Sequence, residues 1–574
     1  MGILKPYLKN NYLSIIGAVI SVIVLAGSTL WQPKLLQTIM KAIIANNRNE
    51  VYDYGIQLIV LALVGIVAGI ASTFFSAKVA QSVTTDLRAD LYAKVQKFSF
   101  GNIEKFSAGS LVVRLINDMN QILNLVMTML TQILRIPILF VGAFILGIIT
   151  IPRLWWIEIV MILLILSLTG AVFSHMGNLF GRFQKWLDQM NTVAKESMQG
   201  IRVVKSFNQE KNETKKFAAT ADELKNLNLT IGYLFSLLIP AFMLISNLMI
   251  LLAVYFIGAK IVSHPNDLAA IASFISYLMQ LMFAIIIGAM TMTMASRGMI
   301  ALKRVKEVLE TKPDVVFNTS SDENSLTSDV EFENVSFAYP NANDDSLKNV
   351  SFKIKAGSFV GIVGSTGSGK TTLAQLIARL YDPTKGGVKI GGKNLQTITA
   401  ATLRTTVSFV LQKSILFSGT IADNLKQGKA DATNEEMEWA LDVAQAKEFV
   451  DKYEDGVKHH VEERSANFSG GQKQRLSIAR GIIGKPQILI LDDSTSALDA
   501  KSEKLVQKAL ESKMQATTVF MIAEKISSVI KADTILVLDN GELVGIGTHS
   551  ELLKSSPIYQ EIYAAQLSRI GGQA

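Results

Sequence analysis

A chain of 574 residues with 49% apolar residues and a formal net charge of +8 is too long, and too uneven, for one soluble domain: apolar residues crowd the first half and charges the second. The absence of cysteine excludes disulfides, iron–sulfur clusters and thiolate metal sites. Lys and Arg fall mostly between apolar runs, with no basic stripe carrying interleaved aromatics, so the charge does not point to nucleic acid.

Residues 1–11 carry Lys5 and Lys9 and read as a short cytoplasmic or interfacial lead-in. The first apolar run is too long for a cleaved signal and lacks a small-residue cleavage site. Six apolar stretches are expected to span a membrane, at about 12–36, 54–77, 123–149, 154–173, 231–262 and 268–292. Each meets the ~20 residues that cross about 30 Å of hydrocarbon.

Connections one, three and five are short. The second, about 78–122, and the fourth, about 174–230, are long, polar and helix-patterned. They hold Arg88, Lys94, Lys97, Lys105 and Arg114, then Arg182, Lys185, Lys195, Arg202, Lys205, Lys211, Lys215, Lys216 and Lys225. By the positive-inside rule both are cytoplasmic, with both chain ends. If 78–98 continues the second span as helix it rises ~30 Å beyond the membrane, and it must dock on something. Each long connection contains a break, at 102–108 and at 199–210, that reads either as a coupling element touching a second domain or as a helix–helix loop.

Arg135 and Glu158 are the main ionisable groups within the spans. Such groups mark functional sites at membrane depth, but both lie close enough to span ends that snorkelling is expected. The sixth span carries Met279, Met282, Met290, Met292 and Met294 beside Tyr277 and Gln280. That composition suits a surface that repacks around varied apolar ligands, or the filling of gaps between helices.

The membrane domain is expected over 1–312, a linker over 313–329 and a soluble α/β domain over 330–574. VEFENVSFAY alternates like a strand and ends at Tyr339, either a packing residue or a platform for an adenine ring. Gly364 to Thr371 reads GSTGSGKT, a Gly, four free positions and Gly-Lys-Thr, between an apolar strand and a helix. Glycines let successive N–H groups turn toward phosphates, Lys370 adds charge at the β/γ-phosphates, and Thr371 offers a hydroxyl to Mg²⁺. TVSFVLQ ends at Gln412, an amide able to reach Mg²⁺ or an attacking water. NFSGGQKQRLSIAR places Phe468, Ser469, Gly470, Gly471 and Gln472 at a helix start, a second anion site. PQILILDDSTSALD delivers Asp492 and Asp493 from a buried strand, with Asp499 beyond. ATTVFMIAEKISS ends a strand at Glu524, and a hairpin turns on Asn540 and Gly541.

This ordered set of motifs resembles the nucleotide-binding domain of an ATP-binding cassette (ABC) transporter, and the six preceding spans resemble the exporter branch. The resemblance covers essentially the whole chain. It implies a membrane α-helical domain of six transmembrane helices with long intracellular extensions, fused to an α/β P-loop NTPase domain of ABC type. It also implies a multi-pass protein of the cell membrane, working as a pair of homologous halves with ATP and Mg²⁺ between them. Residue by residue, Tyr339 is expected to stack on adenine. Gly364, Ser365, Thr366, Gly367, Ser368, Gly369, Lys370, Thr371 and Thr372 hold the phosphates, and Thr371, Gln412 and Asp492 serve Mg²⁺. Phe468 to Gln472 form the signature that contacts nucleotide bound on the partner, and Asp499 joins the nucleotide-contacting set.

Two residues depart from the family pattern. The family normally places Glu directly after the strand-end Asp, as the base that polarises the attacking water; Asp493 pulls that carboxylate back by ~1.5 Å, about one bond length. A misplacement near 1 Å costs on the order of 10²-fold in rate. The family also normally has His where this chain has Glu524, and a carboxylate cannot donate to a γ-phosphate. None of His175, His264, His459, His460 and His549 lies where it could substitute. The expectation is a chain that binds ATP on its own motifs, hydrolyses it slowly and completes a competent site on a different partner, as in heterodimeric bacterial multidrug exporters. A homodimeric lipid or peptide exporter and an ATP-gated channel or regulator are the alternatives; few charges in the spans argue against a charged pore.

Overall fold

The protein is described by a computed structural model covering residues 2–258, 266–318, 326–340, 342 and 344–571. Part of the expected linker, 319–325, the end of the fifth expected span and His264 lie outside these residues. The chain forms two compact units: 1–94 with 112–310, and 95–111 with 311–574. The expected single membrane domain over 1–312 is thereby corrected in one stretch, because 95–111 belongs with the second unit.

Among the described residues six helices are long and apolar enough to cross a membrane. They are α1 (Tyr12–Ile44), α2 (Arg48–Gln96), α4 (Ala108–Thr150), α5 (Pro152–Gln199), α7 (Glu210–Gly258) and α8 (Asn266–Glu310). Between them lie the short helices α3 (Phe100–Phe106) and α6 (Ile201–Ser206). The second span does run on as unbroken helix to Gln96. Helices of this length stay ordered because their small and apolar faces find one another, as at Ala18, Val22 and Ala26 of α1, all fully buried.

Polar side chains of α8 repair the backbone of α1. Pro33 lacks an N–H, which leaves the Thr29 carbonyl without its helical donor. Gln280 Nε2 donates to that carbonyl at 3.4 Å, Tyr277 Oη to Leu30 O at 3.1 Å, and Ser273 Oγ to Pro33 O at 2.5 Å. Tyr277 and Gln280 are therefore committed to helix packing rather than to an open ligand surface. The methionines divide: Met282 is buried in the core, while Met290, Met292 and Met294 are exposed.

Glu158 corrects the snorkelling expectation. Its carboxyl is fully buried, neither oxygen has a hydrogen-bond partner among the described residues, and it lies against Gly147, where any Cβ would collide with it. Snorkelling needs a route to water, which this side chain does not take. Arg135 is half-buried, and its Nε also lacks an acceptor among the described residues. Asp118, by contrast, is buried and paired with Arg304 at 2.5 Å.

The second unit contains two main sheets. Strands β1 (Val330–Phe337), β2 (Leu347–Ile354), β4 (Lys385–Ile390) and β5 (Lys393–Asn394) form an antiparallel sheet in the order β2-β1-β4-β5. Strands β3 (Phe359–Gly364), β6 (Val407–Val410), β9 (Ile488–Asp492), β10 (Thr518–Ile522), β11 (Thr534–Asp539) and β12 (Glu542–Gly547) form the other, in the order β12-β11-β3-β10-β9-β6. It is parallel except for the β12 edge. A small pair, β7 (Gly419–Thr420) and β8 (His460–Val461), lies apart. Central strands β9 and β10 are buried at every position, as apolar strands covered on both faces must be.

Helix α3 is the outcome at the first break. Asn102 accepts from Ser99 N and from Asp314 N, at 3.1 and 3.2 Å, and donates to Lys312 O at 3.2 Å. Phe100 meets Tyr381 edge-on at 6.3 Å between centroids. Burial and the neighbouring Glu104 carboxylate push the Tyr381 hydroxyl well above its ordinary range. Gly101 leaves no room for a Cβ beside Asp314. The first break is thus a docked element on the α/β fold. The second, α6, stays with the membrane unit and exposes Val203, with Phe207 exposed just after the helix.

Candidate functional site

Parallel strands deliver the site because their carboxyl ends open into one crevice. β3 ends at Gly364, β9 at Asp492 and β10 at Ile522, and the loops that follow bring Lys370, Asp493 and Glu524 to one pocket of ≈ 380 Å³. Its wall also includes Tyr339, Ser346, Thr366, Gly367, Gly369, Thr371, Thr372 and Gln412.

The loop between β3 and α9 (Lys370–Ile377) is held by its glycines. Gly367 and Gly369 have φ of +85° and +99°, and Gly369 tolerates no Cβ against Ser346 O. A Cβ on Gly367 would meet nothing within 4 Å, so the loop leaves space on its pocket side. Among the described residues, the buried Ser368 hydroxyl has no partner. Lys370 Nζ folds back on the carbonyls of Gly364 and Ser365, at 2.9 and 2.7 Å. Ser365 itself points away, its hydroxyl 3.5 Å from Asp539. Burial lowers the Lys370 ammonium from its ordinary range, and Glu524, Asp492 and Asp493 oppose that shift. A cation turned onto its own carbonyls, facing three carboxylates, is poised to exchange those carbonyls for phosphate oxygens.

Thr371 Oγ1 donates to Asp492 Oδ1 at 3.1 Å. The Asp492 carboxyl is raised chiefly by burial, with the Thr371 hydrogen bond opposing. Hydroxyl and carboxylate oxygens together suit a hard divalent cation, so this pair fits Mg²⁺. Gln412 was expected with them, but its Nε2 donates instead to Asp493 Oδ2 at 3.1 Å. Asp493 sits at φ +47°, its N–H donating to Ile522 O at 3.1 Å, so its backbone is fixed between β9 and β10. Tyr339 is pinned through its hydroxyl to Thr372 Oγ1 and Gln375 Oε1, at 3.0 and 2.8 Å, and burial raises it.

The second expected anion site starts α10 (Gly470–Ile482). Ser469 and Gln472 close a capping box: Ser469 N donates to Gln472 Oε1 at 2.8 Å, and Gln472 N to Ser469 Oγ at 3.3 Å. Ser469 and Gly470 are exposed; Phe468 is buried against Phe449, Tyr453 and His459. None of Phe468, Ser469, Gly470, Gly471 and Gln472 lines the pocket around Lys370.

Asp499 does not line that pocket either. It caps α11 (Ala500–Lys513): Oδ1 accepts from Lys501 N and Ser502 N, at 3.0 and 2.9 Å, and Oδ2 from Ser502 Oγ at 2.8 Å. Those bonds hold its carboxyl below the usual range.

Sequence reasoning missed Ser346 and Ile522 on the pocket wall, and Gln566. Gln566, on the C-terminal helix α12 (Pro557–Gly571), donates to Glu524 O and accepts from Ile526 N, both at 2.8 Å. It holds the backbone that carries Glu524. No local pattern marks a glutamine whose partners lie about forty residues earlier; only the fold joins them.

Comparison with known proteins supports the same two regions. The family described as ABC transporter transmembrane region matches residues 15–285, and the family described as ABC transporter matches 347–496. The uncharacterized ABC transporter ATP-binding protein YfiB of Bacillus subtilis is 36% identical, covering 100% of this chain and 99% of its own length. The putative ABC transporter ATP-binding protein MG014 of Mycoplasma genitalium is 34% identical, covering 91% of this chain and 87% of its own. A solved bacterial Atm1-family ABC exporter with ATP bound superposes with a TM-score of 0.79 at 25% identity, covering 97% of this chain and 98% of that one.

Proposed function

The chain belongs to the ABC transporters, as an exporter-type half-transporter with transmembrane and ATP-binding regions in one polypeptide, and from that premise we infer that it is the slowly hydrolysing subunit of a heterodimeric exporter. Its cargo is hydrophobic or amphiphilic small molecules, moved out across the cell membrane, with both termini and the nucleotide-binding domain cytoplasmic. Its partner is a second, homologous half.

The observation that carries this reading is Asp493 and Glu524 on the wall of an otherwise complete phosphate site. Lys370 and the loop amides would bind the triphosphate, and Thr371 and Asp492 would hold Mg²⁺, which would supply positive charge beside the phosphates. Asp493 is one methylene short, and its Oδ2 accepts from the Gln412 amide, so part of each group is held by the other. Glu524 adds an acceptor-only carboxylate where a donor to phosphate is needed.

The second half of the reading rests on the signature turn. Ser469, Gly470 and Gly471 stand at the start of a 13-residue helix, away from the chain's own pocket, and offer an anion site to another molecule. The exposed Val203 of α6 and Phe207 just after it are apolar groups of the kind that pair with a second subunit.

Hydrolysis by the purified chain, alone and with its partner, tests this. Slow turnover alone is expected, rising on the order of 10²-fold in the Asp493→Glu/Glu524→His double variant. Vigorous drug-stimulated hydrolysis by the unaltered chain alone would overturn the reading.

A further inference from the structure

The membrane unit holds a cavity of ≈ 380 Å³ between α5, α7 and α8. Its wall is almost wholly apolar, with Phe173, Phe242, Ile286, Met290 and Met294, and one charged residue, Arg297, lies at its edge. Among the described residues, no acidic one lines it. Arg297 is exposed and, among the described residues, has neither a carboxylate within ion-pair distance nor a hydrogen-bond acceptor. Every other polar group on that wall is spent within its own helix: Thr169 donates to Ile165 O at 2.7 Å and Thr293 to Ala289 O at 3.4 Å.

The cavity has a direction. Ile285 lies about 26 Å along α8 from Leu268, inside a hydrocarbon layer of about 30 Å, whereas Arg297 lies a further ~18 Å along the helix, at or beyond headgroup level. The apolar wall therefore starts at the depth of lipid tails, near Ile285 and Ile286, and runs past Met290, about 33 Å along α8, toward the lone cation at the depth of their heads. At ≈ 380 Å³ the cavity lies at the lower end of small-molecule sites, about 300–1,000 Å³, which favours one alkyl chain over two.

We propose that this cavity binds a single-chain amphiphile with an anionic head, its tail against Phe242 and Met290 and its head at Arg297. Thioethers at Met290 and Met294 suit an alkyl tail that adopts several shapes, and the guanidinium supplies the planar donors that carboxylate, sulfate and phosphate heads accept. A cationic amphiphile of equal length meets the same walls but a like charge. As a statement about cargo the proposal rests on the exporter reading above; as a statement about binding it does not.

The test uses full-length protein in zwitterionic lipid nanodiscs, without nucleotide, so its result is independent of which site hydrolyses ATP. A fatty acid carrying a dansyl group at its tail reports occupancy, and dodecyl phosphate and dodecyltrimethylammonium compete for it. Loss of one charge-assisted contact predicts that Arg297→Ala weakens dodecyl phosphate about tenfold, and Arg297→Glu more. Arg297→Lys should retain most of the affinity, and Ala289→Trp, which fills the cavity, should abolish binding of both competitors. Arg297 is exposed, so these substitutions leave the fold intact. Unchanged dodecyl phosphate affinity in Arg297→Glu, or an equal loss for both competitors, would overturn the proposal.

Discussion

The two units place the same kinds of polar side chain in opposite relation to their surroundings. Around the phosphate-loop pocket, Lys370 and Gln412 line a space shaped for something else, with the buried Ser368 beside it. Lys370 rests on its own loop carbonyls, Ser368 Oγ is buried without a partner among the described residues, and Gln412 leans on Asp493. In the membrane unit, Ser273, Tyr277 and Gln280 turn inward onto carbonyls near Pro33. The first arrangement leaves polar groups uncommitted so that a ligand completes them; the second commits them because lipid offers no water to do so. Changes in the first region should therefore cost chemistry and spare the fold, while changes in the second should cost stability and spare the chemistry.

The largest effect is expected at the signature turn. Gly470→Asp places a carboxylate at the exposed start of α10, where a Cβ meets only the Ala497 side chain, so the fold tolerates it. Turnover by the assembled pair should fall about 10²-fold or more, the scale of losing a donor to developing anionic charge. Nucleotide bound to the chain's own phosphate loop should be unaffected. Equal loss of both would mean that the turn supports its own subunit.

Lys370→Ala comes next. Removing a charge-assisted donor should weaken nucleotide binding at the chain's own site by roughly ten- to a hundredfold. Thermal stability should hardly change, because Lys370 bonds only to its own loop. A drop in stability with intact binding would reverse the contrast between the units.

Asp492 adds a pH dependence of a few fold. Its carboxyl is raised, chiefly by burial, so the metal-free fold binds that proton more tightly than the unfolded chain does. The resulting stability is fully present below the unfolded pKa and is lost as pH rises through the folded one. Mg²⁺ needs the deprotonated form, so Mg²⁺-dependent nucleotide affinity should weaken on acidification sooner than for an exposed aspartate. Thr371→Val removes the opposing hydrogen bond and should move that loss to higher pH. Nucleotide binding with Mg²⁺ and with EDTA across pH separates this from a general loss of fold.

What the sequence made legible follows the same contrast. The phosphate loop, the signature and the β9 carboxylates could be read because backbone geometry fixes their spacing within one turn of chain. The exceptions were residues whose role depends on distant partners. Gln412 found Asp493 rather than Thr371, and Gln566 reached Glu524 from α12. In the membrane unit, hydropathy marked the helices but not their contacts. Glu158 looked close enough to a span end to reach water, and only the approach of Gly147 shows it enclosed. The role of Tyr277 could not be read without knowing which helix lay beside Pro33.

Glu158 and Tyr277 give the smallest effects and test the membrane half of the contrast. An unpartnered buried carboxyl costs about 1–3 kcal/mol, so Glu158→Met should raise the thermal midpoint in detergent, whereas Gly147→Val should lower it. Tyr277→Phe removes one hydrogen bond to Leu30 O and leaves the ring in place, for a loss near 1 kcal/mol. Turnover per folded molecule and its response to different cargo should stay the same. If Tyr277→Phe instead changes which compounds stimulate turnover while the midpoint holds, then its hydroxyl leaves α1 during transport and serves the ligand surface that its methionine neighbours suggested.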